Sequence, residues 1–339
     1  MLSKKLKKNL LRGLVVIFVL ANVMAFFHGR KFTHFDPDTR EKPSPEGMPF
    51  FKKIKTMFTG VSLPRPYTKK LPNRPYSTVA LNSNVRIICW AMKATVPAKG
   101  TMILCHGYGG EKSDMLDRAY VCLDAGYNVL LPDFMGAEAS EGNLCTIGYK
   151  EAENVKTCID YISTHGEKNI YLLGASMGAA AIMRTCSIYA LPVKALVLEC
   201  PFGSMRQTVK NRFEAMQVPA FPLSDFLVFW GGAQNGFNAF SHNPEDYAKK
   251  IKLPVLLLCG GKDDRVKPEE IQHIQGIIQG ITKPLTLEES VALARLLGND
   301  YCFGLAWTVI HLIETAPAWD AWPAARAAPA CGPGRCGGP

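Results

Sequence analysis

The chain has 339 residues, 47% hydrophobic and 20% charged, which suits one large domain or two small ones and excludes a disordered chain. Its net charge of +10 is uneven: residues 1–75 hold 16 of the 39 Lys and Arg but 4 of the 29 Asp and Glu, leaving 23 basic against 25 acidic residues elsewhere. A nearly neutral main body argues against a nucleic-acid-binding core and places the basic charge on a membrane-proximal leader.

The leader opens with Lys4, Lys5, Lys7, Lys8 and Arg12, followed by an apolar run from Gly13 to Phe27 broken by Asn22, then His28, Arg30 and Lys31. A basic flank ahead of an apolar core is the pattern of a signal peptide or signal anchor. The run is short for a spanning helix, which needs about 20 residues. The end of the run, Ala21 to Phe27, lacks small residues at the alternate positions a cleavage site needs. An uncleaved, single-pass anchor over 1–31 is therefore expected, with a cleaved signal and a buried helix as alternatives. The heavier basic flank precedes the run, so the globular part should lie on the non-cytoplasmic side. Residues 32–75 read as a linker: eight prolines from Pro37 to Pro75, mixed with Lys and Arg, disfavour regular helix or central strand. Within it, Phe50 to Phe58 mixes aromatic and basic residues and could lie on an anionic membrane surface.

From residue 76, short apolar runs alternate with helical patterns. Val85–Trp90, Thr101–Cys105, Asn128–Pro132, Asn169–Leu173, Ala195–Leu198 and Pro254–Cys259 read as strands buried on both faces. Lys112–Ala125, Tyr149–His165, Met177–Tyr189 and Pro268–Ile278 read as helices. Such alternation predicts an α/β domain over 76–316, a mostly parallel twisted sheet with helices on both faces. Residues 203–250 interrupt it with an aromatic-rich stretch that includes Trp230 and Phe237, and are expected to form a lid over a pocket. The eleven cysteines are an odd number, and those in or beside the strands (Cys89, Cys105, Cys200, Cys259) read as small apolar residues; no spacing suits a metal and no cofactor is expected.

Gly174-Ala175-Ser176-Met177-Gly178 follows the run NIYLL and opens a helical stretch, the context in which a G-x-S-x-G turn lifts a serine oxygen clear of the backbone. Ser176 is thus the candidate nucleophile. Three further motifs stand in order around it: His106-Gly107-Tyr108-Gly109-Gly110 after TMILC, Asp133 to Gly142 (DFMGAEASEG), and Gly260 to Val266 (GGKDDRV) after PVLLLC. Together the four resemble the α/β-hydrolase superfamily over roughly residues 76–280. The resemblance implies that Tyr108 and Met177 donate backbone N–H groups to an oxyanion hole, that His106 is a structural turn residue, and that Asp263 is the acid, with Asp264 the neighbouring alternative. It also implies a base after the acid, where only His273 and His311 are available. His273 falls in a helical pattern expected to face away from the serine, leaving His311 by elimination. His311 itself sits in an apolar stretch without a glycine loop, and residues 285–297 read as a helix capped by Thr286 and Glu289, where the superfamily has its final strand. Residues 317–339 are a tail rich in Ala, Pro and Gly.

The expected function is a membrane-anchored serine hydrolase acting on a small hydrophobic ester, or a thioester or amide, through an acyl-enzyme. The alternatives are a serine peptidase and a non-catalytic binding protein without a working base. The expected partners are the substrate and, through residues 13–27, a membrane; no nucleic acid is expected.

Overall fold

The computed structural model describes residues 3–39, 50–258 and 268–278. Helix α1 runs from Lys4 to Thr33; the Ser3 side chain caps it by accepting from Leu6 N–H at 3.3 Å, and Arg30 and Lys31 lie in its last turn. At ~1.5 Å per residue α1 is about 45 Å long, and by length and composition it suffices to cross a membrane.

The described residues after α1, 34–39 and 50–75, make more contacts with the domain than the prolines imply. Pro49 and Pro64 bracket a proline-free stretch, and there Phe50–Thr59 forms helix α2. Phe35–Asp36 pairs in parallel with Leu63–Pro64, Phe35 N–H donates to Asn143 O at 2.8 Å, and the Phe35 ring is buried in the core. Farther on, Lys70 and Arg74 meet Asp117 and Asp124 at 2.9 and 2.7 Å. These last pairs are exposed and contribute little to stability.

The central sheet has seven strands: β1 Ser77–Asn82, β2 Arg86–Met92, β3 Thr101–Cys105, β4 Asn128–Pro132, β5 Ile170–Ala175, β6 Val193–Glu199 and β7 Val255–Leu258. Their spatial order is β1-β2-β4-β3-β5-β6-β7. β1 and β2 pair antiparallel, β2 joins β4 antiparallel, and the remaining neighbours are parallel. Helices cover both faces: α3 (Leu116–Asp124) on one, α4 (Glu151–Thr164), α5 (Met177–Ile188) and α9 (Pro268–Ile278) on the other. Strand alternation explains why the strands are apolar throughout. In β3, Ile103 and Cys105 point toward α4 and α5, while Met102 and Leu104 point toward α3. Cys89 and Cys105 are buried free thiols, Cys200 is half-buried, and Cys259 lies outside the described residues. Burial raises the Cys105 thiol far above its ordinary value, consistent with an inert apolar role.

The 203–250 insertion folds as α6 (Met205–Ala215), α7 (Leu223–Ala233) and α8 (Pro244–Ala248). Phe202, Met205, Val228 and Ala239 pack with Ala180 of α5 and Ile271 of α9. His242, fully buried, fastens the insertion's end: its Nε2–H donates to Ile147 O at 2.9 Å and its Nδ1 accepts from the Tyr247 hydroxyl at 3.0 Å. Burial lowers its pKa to about 4. Above pH 6.5 the ring is neutral folded or unfolded; between 6.5 and about 4 the unfolded chain takes up a proton that the buried ring refuses. Stability therefore falls as pH falls through that window, by about 3 kcal/mol from this group. Urea midpoints of the full chain in detergent at pH 7.5 and 4.5 measure the loss, and His242→Gln should show a shallower pH dependence.

Candidate active site

β5 ends at Ala175 and α5 starts at Met177, so Ser176 alone makes the turn between them. Its backbone sits at φ 51 and ψ −109, a region costing an L-residue about 1–3 kcal/mol. The surroundings hold it there. Ser176 N–H donates to Glu199 O at 2.7 Å, and Ser176 O accepts from Ala180 N–H at 3.0 Å. The glycines on either side permit the close approach this requires: a Cβ on Gly174 would come within 2.6 Å of Gly178 C, and one on Gly178 within 2.8 Å of His106 O. The result is an exposed serine between buried Gly174 and buried Met177, at the N-terminus of an apolar helix. Its hydroxyl makes no hydrogen bond among the described residues. The orphan amides and dipole of that helix end favour negative charge beside Ser176.

The His-Gly turn lies alongside. Cys105 is in register with Gly174, and a Cβ on Gly107 would sit 3.8 Å from Ser176 Cβ. His106 is 1% exposed and engaged at both nitrogens: Nε2 accepts from Phe134 N–H at 3.1 Å, which leaves Nδ1–H to donate to Gly107 O at 2.8 Å. Burial lowers its pKa, and with both nitrogens engaged the ring braces the turn and has none left to take a proton from Ser176. The Tyr108 hydroxyl donates to Phe32 O at 2.5 Å, tying this turn to the end of α1. The Tyr108 and Met177 amides, by contrast, meet no acceptor among the described residues. A cleft of about 280 Å³ lies beside Tyr108 and Gly109, walled by Phe35, Leu63, Arg65 and Tyr67.

The Asp133–Gly142 loop braces the turn from behind. Asp133 N–H donates to Ile88 O at 2.8 Å, the Ser140 hydroxyl donates to Asp133 O at 2.8 Å, and Ile88 N–H donates to Ser140 Oγ at 2.9 Å. Gly136 and Gly142 take φ +79 and +80, which glycine adopts without strain. The Asp133 carboxylate, fully buried, meets Lys112 Nζ at 2.5 Å and Lys112 N–H at 2.8 Å. Burial pushes its pKa up to about 6 against the pull of Lys112. Nothing in this loop carries a free nucleophile, and the motif's role here is structural.

Asp263, Asp264 and His311 lie outside the described residues, as do the 285–297 helix and the 317–339 tail. Of the other described histidines, His273 and His242 lie nearest to Asp263 in chain order. His273 stands on α9 with its side chain 62% exposed and Nε2 3.9 Å from Glu245 Oε2. His242 is sealed at both nitrogens. The pair Arg118–Glu199 had no motif to announce it: Arg118 Nη2 meets Glu199 Oε2 at 2.6 Å and Arg118 Nε meets both carboxylate oxygens at 2.8 and 2.9 Å. Glu199 is also the residue whose carbonyl holds the Ser176 amide, so this pair steadies the elbow. The sequence signal for it was a lone carboxylate closing the apolar run ALVLEC.

The comparisons with known proteins agree with this geometry. A family model described as serine aminopeptidase, S33, matches residues 96–247. Protein YqkD of Bacillus subtilis is 25% identical over 51% of this chain and 58% of its own length. The lysophosphatidylserine lipase ABHD12 of Danio rerio is 26% identical over 54% of this chain and 48% of its own length. This chain thus spans about half the length of those two proteins. The Pyrococcus furiosus esterase Pf2001 superposes with a TM-score of 0.54 at 25% identity, covering 64% of this chain and 84% of that one. With the strand order, the serine elbow and these likenesses taken together, the chain belongs to the α/β-hydrolase superfamily.

Proposed function

We propose that this chain is a membrane-anchored serine hydrolase that cleaves a carboxylic ester through an acyl-enzyme on Ser176. The observation that carries the reading is the elbow: an exposed hydroxyl on a strained turn, at a helix N-terminus, beside a Gly-rich turn with an unengaged amide. Such strain persists only where surrounding structure enforces it and is typical of nucleophiles. In the proposed reaction Ser176 Oγ attacks the ester carbonyl and its proton passes to a base. Tyr108 N–H and Met177 N–H take the resulting oxyanion. The alcohol leaves with the proton returned, and water repeats the sequence on the acyl-serine to release the acid. Asp263 as orienting acid and His311 as base are the assignments this reading keeps. The anchor is α1, whose basic N-terminal flank favours a cytoplasmic N-terminus and a domain on the other side.

Esters are favoured over peptides because α7 of the insertion is apolar, and because the esterase above shares this fold and the lipase above is similar in sequence. The description of the matching family gives peptide amides as a second reading. A fluorophosphonate probe tests the activated serine directly. The full chain in detergent should form one adduct, mapped by peptide mass spectrometry to residues 174–178. No adduct at any pH would instead support the non-catalytic reading. Release rates on short acyl esters against aminoacyl anilides then choose between the two substrate classes.

A further inference from the structure

Helix α7 of the insertion is packed along the apolar part of α1. Phe18 meets Phe226 edge to face at 5.4 Å, and Phe26 meets Trp230 at 5.3 Å. Asn22 Oδ1 accepts from Trp230 Nε1–H at 3.2 Å, and Phe26 O accepts from Gln234 Nε2–H at 2.8 Å. At Gly29 the backbones nearly touch, since a Cβ there would lie 3.0 Å from Gly231 N. Phe18, Asn22, Phe26 and Gly29 are one stripe of α1, three or four residues apart.

That stripe lies at a depth set by the sequence. The uncharged run of α1 is Gly13–Phe27, and Phe18 lies nine residues, or ~14 Å, before its end. The hydrocarbon core of a bilayer is ~30 Å thick. If the run sits in that core, a helix touching Phe18 cannot be outside the bilayer. The chemistry of α7 suits that position. Among its residues Leu223–Ala233 the one charge is Asp225, near its start, which Arg206 takes with two bonds of 2.8 Å. Its outer side and the loop before it are apolar and open: Phe221 is 79% exposed, Met216 62% and Phe229 51%. Its contacts with α1 use small residues and interhelical hydrogen bonds, the means by which helices associate in lipid.

We propose that α7 and the loop 216–222 are embedded in the same bilayer that α1 crosses, as a short helix lying along the anchor. The occupant of the open apolar face is the lipid layer itself. The hydrolase domain is then held at a fixed height by two elements, and an acyl substrate reaches the insertion from the plane of the bilayer without passing through water. This rests on the reading of α1 as a membrane anchor.

The test uses the full chain reconstituted in phosphatidylcholine–phosphatidylglycerol vesicles whose acyl chains carry bromine at a shallow or a deep position. Tryptophan fluorescence is read for the wild type, for Trp230→Phe, and for Phe221→Trp. Subtracting the Trp230→Phe emission isolates Trp230. Embedding predicts that the Trp230 component, beside Asn22 and Phe26 near the end of the run, falls about twofold or more in brominated vesicles with the shallow bromines more effective, and that the signal added by Phe221→Trp, ahead of the residue that meets Phe18, is quenched by deep bromines no less than by shallow ones. Carbonate extraction of the same vesicles separates the two layers of the argument. Protein released to the supernatant overturns the anchor, and the embedding with it. Protein retained in the pellet while both tryptophan signals stay unquenched overturns the embedding alone, and leaves a second protein copy or water on that face.

Discussion

Ser176→Ala is expected to abolish ester turnover, by roughly four to six orders of magnitude in kcat, and to abolish fluorophosphonate labelling, with the fold intact. The side chain is exposed and its hydroxyl has no bond among the described residues, so deleting one oxygen removes no packing and leaves no buried partner unsatisfied. Alanine at φ 51 and ψ −109 is as strained as serine, so thermal stability should hardly move. Ser176→Gly makes the contrasting case. Glycine enters that region freely, so the variant should be equally inactive yet more stable, by about 1 kcal/mol. Kinetics on a soluble ester and thermal melts of the three proteins read both effects. Unchanged cleavage in Ser176→Ala would defeat the nucleophile assignment. A Ser176→Gly variant no more stable than wild type would mean that the turn is not strained in solution.

The same strain shows why the elbow was legible in the sequence. Gly174 and Gly178 are there because a Cβ at either would press on backbone, and such a constraint leaves a mark in residue identity. The parallel strands were legible for a related reason. Both faces of β3 and β5 are buried, so their residues read as unbroken apolar runs with sharp ends, and β3 and β4 begin and end where the runs do. β1 left no such mark: it is an edge strand with mostly exposed residues, Ser77 to Asn82, and edge positions need no apolar run. The helix over Lys112–Ala125 divides into a 3-10 turn, Lys112–Met115, and α3, because Glu111 and Asp114 cap that turn reciprocally. Residues 32–75 were misleading in a different way. Proline density argues about local conformation, whereas Phe35, Tyr108 and Asn143 fasten that segment through contacts distant in sequence. Arg118–Glu199 was hidden for the same reason, its partners being 81 residues apart. The acid was named from the resemblance and the base from chain order by elimination, and Asp263 and His311 remain proposals on that footing.

Asp133→Asn is expected to destabilise the fold by ~3–5 kcal/mol, which for a domain of this size lowers Tm by about 10 °C. Lys112 and Asp133 are 3% and 0% exposed, so water cannot replace either partner. An asparagine keeps an oxygen to accept from Lys112 N–H, now at 2.8 Å, but turns an NH2 toward the Lys112 ammonium, donor against donor. The ammonium would keep the Thr68 hydroxyl at 3.3 Å and the Trp90 ring at 4.5 Å, neither of which carries a compensating charge. Burial already raises the Asp133 pKa to about 6, a sign that the site tolerates the pair narrowly even when complete. The consequence should reach the active site. Asp133 anchors the start of the loop whose next amide, Phe134 N–H, holds His106, and His106 in turn braces the Gly107 carbonyl in the His-Gly turn beside Ser176. Turnover should therefore drop along with stability. The double variant Lys112→Met/Asp133→Asn separates charge from geometry: with the buried ammonium gone, most of the lost stability should return. Chemical denaturation of the wild type, the single and the double variant in one detergent measures this directly. A single variant as stable as wild type would mean that Lys112 reaches water and that the pair is not a buried brace.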